Sequence, residues 1–332
     1  MLMRKINGVP VEAHTDLSSL TGGEVLKWDS TNTLMAWEDQ DSTGFVPWVF
    51  QGSNYGFTSG GDSNVIDKFA FSSNTTATDH GDMSVSRELP SGQSSADYGH
   101  MSGGEAGGAA QNVIDRFAHS SNVTAADHGD LSVARGYLCG QSSADYGFTA
   151  GGSNSGARDT IDKFAFSSNT TAADHGDLVA STKDTPAGQS STDYGFVSGG
   201  NDGSITVTIN KFAFSSNTTA SDHGDISQAR RFLNGQSSST DGFTSSGYAS
   251  GYLNTIDKFS FSSNTTAADH GDLTVARGYA AGQSSTTQGF VSGGWTGSNQ
   301  NTIDKFDYSS NTTASDHGDL SGVRWLITGT QY

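Results

Sequence analysis

The sequence predicts an all-β fold: a six-bladed β-propeller behind a small N-terminal β attachment segment. Three observations carry that reading. First, a unit of about 47 residues recurs six times from about Phe45 to the end, and the tetrapeptide Asp-His-Gly-Asp marks it at Asp79, Asp127, Asp174, Asp222, Asp269 and Asp316. Successive starts lie 48, 47, 48, 47 and 47 residues apart. A fixed period of this length marks a supersecondary unit that buries its apolar face only by stacking on neighbours. Second, 43 Gly against 4 Pro, with abundant Ser, Thr and Asn, suits short strands and tight turns and disfavours long helices. Third, each unit divides into four short strand-like stretches, the content of one propeller blade.

The third unit shows the division. Gly136–Ser143 reads as a first strand, small and glycine-punctuated, and Ala144-Asp145 as a turn. Tyr146–Gly152 is a second strand closing on a double glycine. Thr160–Phe166 alternates with period two, as a strand should. Ser167–Asn169 reads as a turn, Thr170–Ala173 as a short fourth strand, and Asp174–Asp177 as a second turn, since Asp and Gly are turn formers. Low-complexity disorder would share the Gly and Ser but lack a Phe at a fixed register in every unit.

Composition narrows the function. Hydrophobic residues make up only 33% of the chain, so its 18 Phe must carry much of the core. A net charge of −18 argues against nucleic acid, whose phosphates need clustered Lys and Arg, and against anionic membrane surfaces. The acidity is no tail: 17 of the 35 carboxylates belong to Asp-His-Gly-Asp or to the Ile-Asp-Lys-Phe register. The single cysteine, Cys139, excludes an intramolecular disulfide and a cysteine-built zinc site. Residues 1–8 hold no apolar run of signal-peptide length, and no run of 18 apolar residues occurs anywhere. The expectation is a protein made and folded in a cytoplasm without a secretory signal.

The units resemble kelch repeats. That resemblance rests on double glycines at Gly60-Gly61, Gly103-Gly104, Gly151-Gly152, Gly199-Gly200 and Gly293-Gly294, with Ser246-Gly247 in the fifth unit. It rests too on the third-strand aromatics Phe69, Phe117, Phe164, Phe212, Phe259 and Phe306. The bases Arg87, Arg135, Lys183, Arg230, Arg277 and Arg324 complete it. Thr and Ala stand where the family carries a fourth-strand Trp. The octapeptide Trp325–Tyr332 follows the last base in the register of a first strand, and is expected to complete the first blade and close the ring.

Residues 1–42 carry no repeat. Gly-Glu-Val-Leu-Lys-Trp-Asp and Leu-Met-Ala-Trp predict a β-hairpin between about 23 and 37. The stretch Thr15–Trp37 resembles the short linking modules of bacteriophage tail fibres and virion appendages. That resemblance implies attachment to other virion proteins, trimerisation and a virion location, with Trp28 and Trp37 as apolar anchors.

Asp-His-Gly-Asp is the obvious candidate for chemistry. Asp79, His80, Asp82 and their equivalents could ligate a divalent metal. Presence in every unit favours architecture instead: Asp closing an Asx turn, His bonding the next blade, Gly at positive φ. His100 and His119, found only in the second unit at Phe registers, read as packing. No nucleophile, base and acid ordering suggests an enzyme, and no cofactor is implied.

Sequence variation is segregated. The second-to-third-strand loops (62–65, 105–113, 153–160, 201–208, 248–255 and 295–302) and the blade-to-blade segments differ between units, whereas the Gln-Ser-Ser and Ser-Ser-Asn turns are nearly uniform. Antiparallel strands put the two variable sets on one face, where loops on a rigid scaffold build recognition. Trp295, Tyr248 and Tyr252 are the binding candidates there, for a host-surface glycan or a protein. The favoured function is a non-enzymatic phage virion protein, a tail fibre or head fibre; the alternatives are a cellular kelch-type adaptor and a metal-dependent lectin.

Overall fold

The computed structural model describes residues 50–180 and 184–332, together with the backbone of 5–6, 9–10, 24–29, 34–39 and 181–182. Two compact units divide after Trp48. In the first, Glu24–Asp29 pairs antiparallel with Leu34–Asp39, setting Leu26 opposite Trp37 and Trp28 opposite Met35. The side chains of Trp28 and Trp37 lie outside the described residues.

The second unit is a six-bladed β-propeller of antiparallel four-stranded sheets. Blade 3, for example, runs outward through Cys139–Ser142, Tyr146–Ala150, Arg158–Ala165 and Ala173–Thr182. The innermost strands (Ser91–Ser94, Cys139–Ser142, Ala187–Ser190, Asn234–Ser237, Ala281–Ser284 and Ile327–Gln331) touch one another in a closed circle around the axis. Ile327–Gln331 pairs with Tyr55–Gly60, so blade 1 combines the two ends of the repeat array.

Glycine sets the bore of that circle. A Cβ on Gly92, Gly140, Gly188, Gly235, Gly282 or Gly329 would overlap the carbonyl oxygen of the neighbouring blade's glycine, all the way around. Beside the glycines, Gln141 Nε2 donates to Phe196 O at 3.0 Å and Gln189 Nε2 to Phe243 O at 3.0 Å, each crossing to the next blade. Ser142 N donates to Ser190 Oγ at 3.0 Å in a parallel series.

Aromatic rings hold the blades together further out. Phe148 stacks on Phe214 of the next blade at 4.6 Å between centroids, Phe196 on Phe261 at 4.7 Å, Phe243 on Tyr308 at 4.6 Å and Phe290 on Phe71 at 4.6 Å. Blade 2 substitutes histidine on both of its joints: His119 stacks on Phe57 at 5.1 Å and His100 on Phe166 at 4.7 Å. Both are almost wholly buried, and neither His100 ring nitrogen has a hydrogen-bond partner.

Among the described residues, five of the six joints also carry a buried ion pair: Arg87–Asp115, Arg135–Asp162, Arg230–Asp257, Arg277–Asp304 and Arg324–Asp67, at 2.9 to 3.1 Å. Burial pushes the Asp115 carboxyl up and the Arg87 guanidinium down from their usual values, and each partner's charge pulls the other back. The cost of taking both charges out of water offsets much of the attraction within such a pair, whereas removing one partner strands a buried charge. At the remaining joint the carboxylate is replaced by Asn210, whose Oδ1 accepts from Val179 N at 3.0 Å, and the repeat's base there is Lys183, which lies outside the described residues. Charge is thus missing on the acidic side at the joint where arginine is missing on the basic side.

The reading of Asp-His-Gly-Asp as a turn is corrected. Asp174–Asp177 lies inside the outermost strand Ala173–Thr182, and Thr170–Ala172 is irregular. Asp162 pairs with Asp174 and Thr160 with Asp177, so His175 and Gly176 together oppose the single Ile161: a β-bulge. The same register shift recurs in every blade. Asp and Gly serve the bulge for the reasons they would serve a turn. Gly81 sits at φ 110°, which a side chain resists, and its N–H donates to Asp79 Oδ1 at 2.7 Å.

Candidate binding face

The bulge engages the tetrapeptide in contacts between neighbouring blades. His80 Nε2 meets the carbonyl of Ala118 on the next blade at 2.9 Å, and His128, His175, His223, His270 and His317 repeat the contact at 2.9 to 3.0 Å. Ala125 N donates to the Asp82 carbonyl at 2.7 Å. Asn122 Nδ2 donates to the Asp79 carbonyl at 3.1 Å. Burial lowers the His80 pKa from its ordinary value, which favours the neutral ring. The six tetrapeptides lie on six separate outer strands, and among the described residues no group of three or more His, Cys, Asp or Glu is placed to hold a metal ion.

The axis offers little more. Its cavity measures about 70 Å³, well under the roughly 300 Å³ at which small-molecule pockets begin. Phe50 lines it and also the space beside the turns Ser190–Thr192 and Ser238–Ser239. Gly52 N donates to Ser284 O at 2.8 Å, and Gln51 Nε2 to Ser237 O at 3.0 Å. The chain therefore joins the propeller on the uniform face, at the mouth of the bore.

The opposite face carries both sets of variable segments, joined by backbone bridges: Glu88 with Glu105, Gly136 with Ser153, Arg231 with Tyr248, and Gly278 with Trp295. At its centre one register per blade is left-handed. Leu89, Tyr137, Thr185, Phe232, Tyr279 and Leu326 have φ between 43° and 63°. Each such residue costs about 1–3 kcal/mol in an unsupported backbone. The conformation turns amide groups across the joints: Leu326 N donates to Tyr279 O at 3.1 Å, Tyr279 N to Phe232 O at 3.1 Å, and Leu89 N to Leu326 O at 2.8 Å.

The six-fold pattern breaks in the side chains of this face. Trp295 lies 4.8 Å from Trp325 between centroids, Trp325 meets Tyr279 edge-on at 5.3 Å, and Tyr279 stacks on Phe232 at 3.9 Å. The Arg231 guanidinium lies 4.7 Å over Phe232 and 5.7 Å from the Tyr248 ring, and Tyr248 meets Tyr252 at 5.2 Å. Arg231 pairs with Asp184 at 2.8 Å, and Asn201 Nδ2 donates to the same carboxylate at 2.9 Å. All of these rings except buried Phe232 are half-buried.

The other half of the face is acidic. Burial, then a hydrogen bond with Asp62 and the charges of Asp62 and Glu105, push the Glu88 carboxyl up to about 7.

Trp295, Tyr248 and Tyr252 thus fall in one cluster. Sequence reasoning put Arg231 and Phe232 among the variable blade-to-blade segments of this face but named neither of them, nor Trp325, Tyr279 or Asp184, as a binding candidate. Their signal lay in the blade-to-blade column, where Trp325, Arg231-Phe232 and Tyr279 stand in the register occupied by Glu88-Leu89 in another unit. No protein-family model matches this sequence, and no curated protein matches it. A propeller with one diversified face fits a binding role.

Proposed function

We propose that the chain is a non-enzymatic virion appendage protein, a tail or head fibre, which residues 1–42 attach to other virion proteins while the propeller presents its variable face for adhesion. One observation carries the binding half of the reading: diversity gathers on one face, and the chain joins the propeller on the other. The resemblance of Thr15–Trp37 to phage linking modules supports the virion half. Aromatic side chains on rigid loops are effective contact groups because little freedom remains to be lost on binding.

The test is deletion of residues 1–42. The expected product is a soluble propeller that no longer enters particles, while the full-length Trp295→Ala, Tyr248→Ala variant still assembles and adheres less. Normal incorporation of the truncated protein would overturn the attachment role.

A further inference from the structure

Building on the reading that the variable face is the binding face, we propose that its aromatic half is a metal-independent site for a neutral glycan chain. Trp295, Trp325 and Tyr279 form a row of half-buried rings with centroids 4.8 and 5.3 Å apart, the first pair tilted by 35° and the second meeting edge-on. The apolar C–H faces of sugars pack on such rings, and Tyr hydroxyls add polar tips. Arg231, Asp184 and Asn201 stand beside the row as a fixed set of donors and acceptors of the kind that engages vicinal hydroxyls.

Size favours a glycan over a protein. Even a fully exposed ring contributes at most about 250 Å², so half-buried ones offer a few hundred together. A stable protein interface takes about 800 Å² from each partner.

Charge selects among glycans. A net charge of −18 and the carboxyl groups of Asp62, Glu88 and Glu105 on the same face disfavour a polyanionic chain. Among the described residues the cation in the cluster is Arg231, already paired with Asp184. Rigidity lowers the ordering cost: the rings pack on one another, and the Trp295 and Tyr248 backbones are bridged to Gly278 and Arg231.

The experiment is affinity electrophoresis of the purified full-length chain in native gels containing dextran, mannan or laminarin, with polygalacturonate as the anionic probe, all in EDTA. At least one neutral polysaccharide should retard the protein and polygalacturonate should not. Trp295→Ala and Tyr252→Ala should each bind at least tenfold more weakly at an unchanged melting temperature; Trp295→Phe serves if the alanine variant does not fold. The proposal is overturned by unchanged migration in every neutral gel, or by retardation that both variants retain. Binding to an immobilised protein of near-zero net charge that Trp295→Ala abolishes, with no retardation by any neutral polysaccharide, would assign the row to a protein partner and overturn it too. None of these results bears on incorporation into particles, which the deletion of residues 1–42 tests separately.

Discussion

Arg324 reaches within 2.9 Å of Asp67, so the ion pair that joins one repeat to the next also joins the last repeat to the first. Both side chains are almost wholly buried. Asp67→Ala would strand the guanidinium, and removing one partner of a buried pair typically costs about 3–5 kcal/mol. Asp67→Asn combined with Arg324→Lys recreates the residues found at the joint of Lys183 and Asn210, and should lose less than the sum of its single changes. Urea denaturation of the four proteins measures the coupling; an unchanged midpoint in Asp67→Ala would refute the assignment.

Removal of residues 325–332 takes the innermost strand from blade 1 and exposes the edge of Tyr55–Gly60. Unpaired strand edges template aggregation. The truncated protein should melt at a lower temperature or collect in the insoluble fraction. A melting curve equal to that of the full chain would show that the closure contributes nothing.

Acid should loosen the two joints of blade 2. Burial lowers the His119 pKa from an ordinary 6.5 to about 3, and holds His100 well below its ordinary value. A histidine with a depressed folded-state pKa leaves stability untouched above the unfolded value. Below pH 6.5 the unfolded chain takes the proton and the folded chain does not, so stability falls until the folded pKa is reached. By pH 5 His119 alone should forfeit about 2 kcal/mol. The His100→Phe, His119→Phe variant restores the ring used at the other joints and should flatten the decline between pH 7 and 5. Burial-lowered His80, His128, His175, His223 and His317 leave a residual slope. Parallel stability curves for the two proteins would rule this out.

His175→Ala removes the 2.9 Å contact with the Ala213 carbonyl and should cost about 1 kcal/mol. Gly176→Ala should cost more, because its φ is 101° and a Cβ would press on the Thr218 carbonyl. Chelator should leave the melting temperature of the parent unchanged; a drop would revive a metal at Asp79, His80 and Asp82.

The period and the Phe registers made the fold legible, because a propeller's core is the same contact repeated between copies. Asp174–Asp177 was not legible as strand, since a bulge needs the residues a turn needs and only the pairing of Thr160 with Asp177 distinguishes them. On the variable face, Trp295, Tyr248 and Tyr252 stood out as aromatics in loops. Phe232, Tyr279 and Trp325 did not, because each reads as the start of an ordinary first strand. Side-by-side packing of successive units brings Trp325, 93 positions beyond Phe232, onto the ring that Phe232 stacks against.

Tyr332 N donates to the Tyr55 carbonyl at 2.8 Å, and Asn54 N donates to the Tyr332 carbonyl at 2.7 Å, both on the uniform face. A domain whose two ends meet side by side behaves as a cassette: it can be carried on a single stalk, or spliced into a surface loop of an unrelated host, without rethreading its strands. Wherever it is grafted, the tether arrives from the side that never varies. Loop sequences on the far side are then free to diversify under selection for a new target while the carrier stays the same.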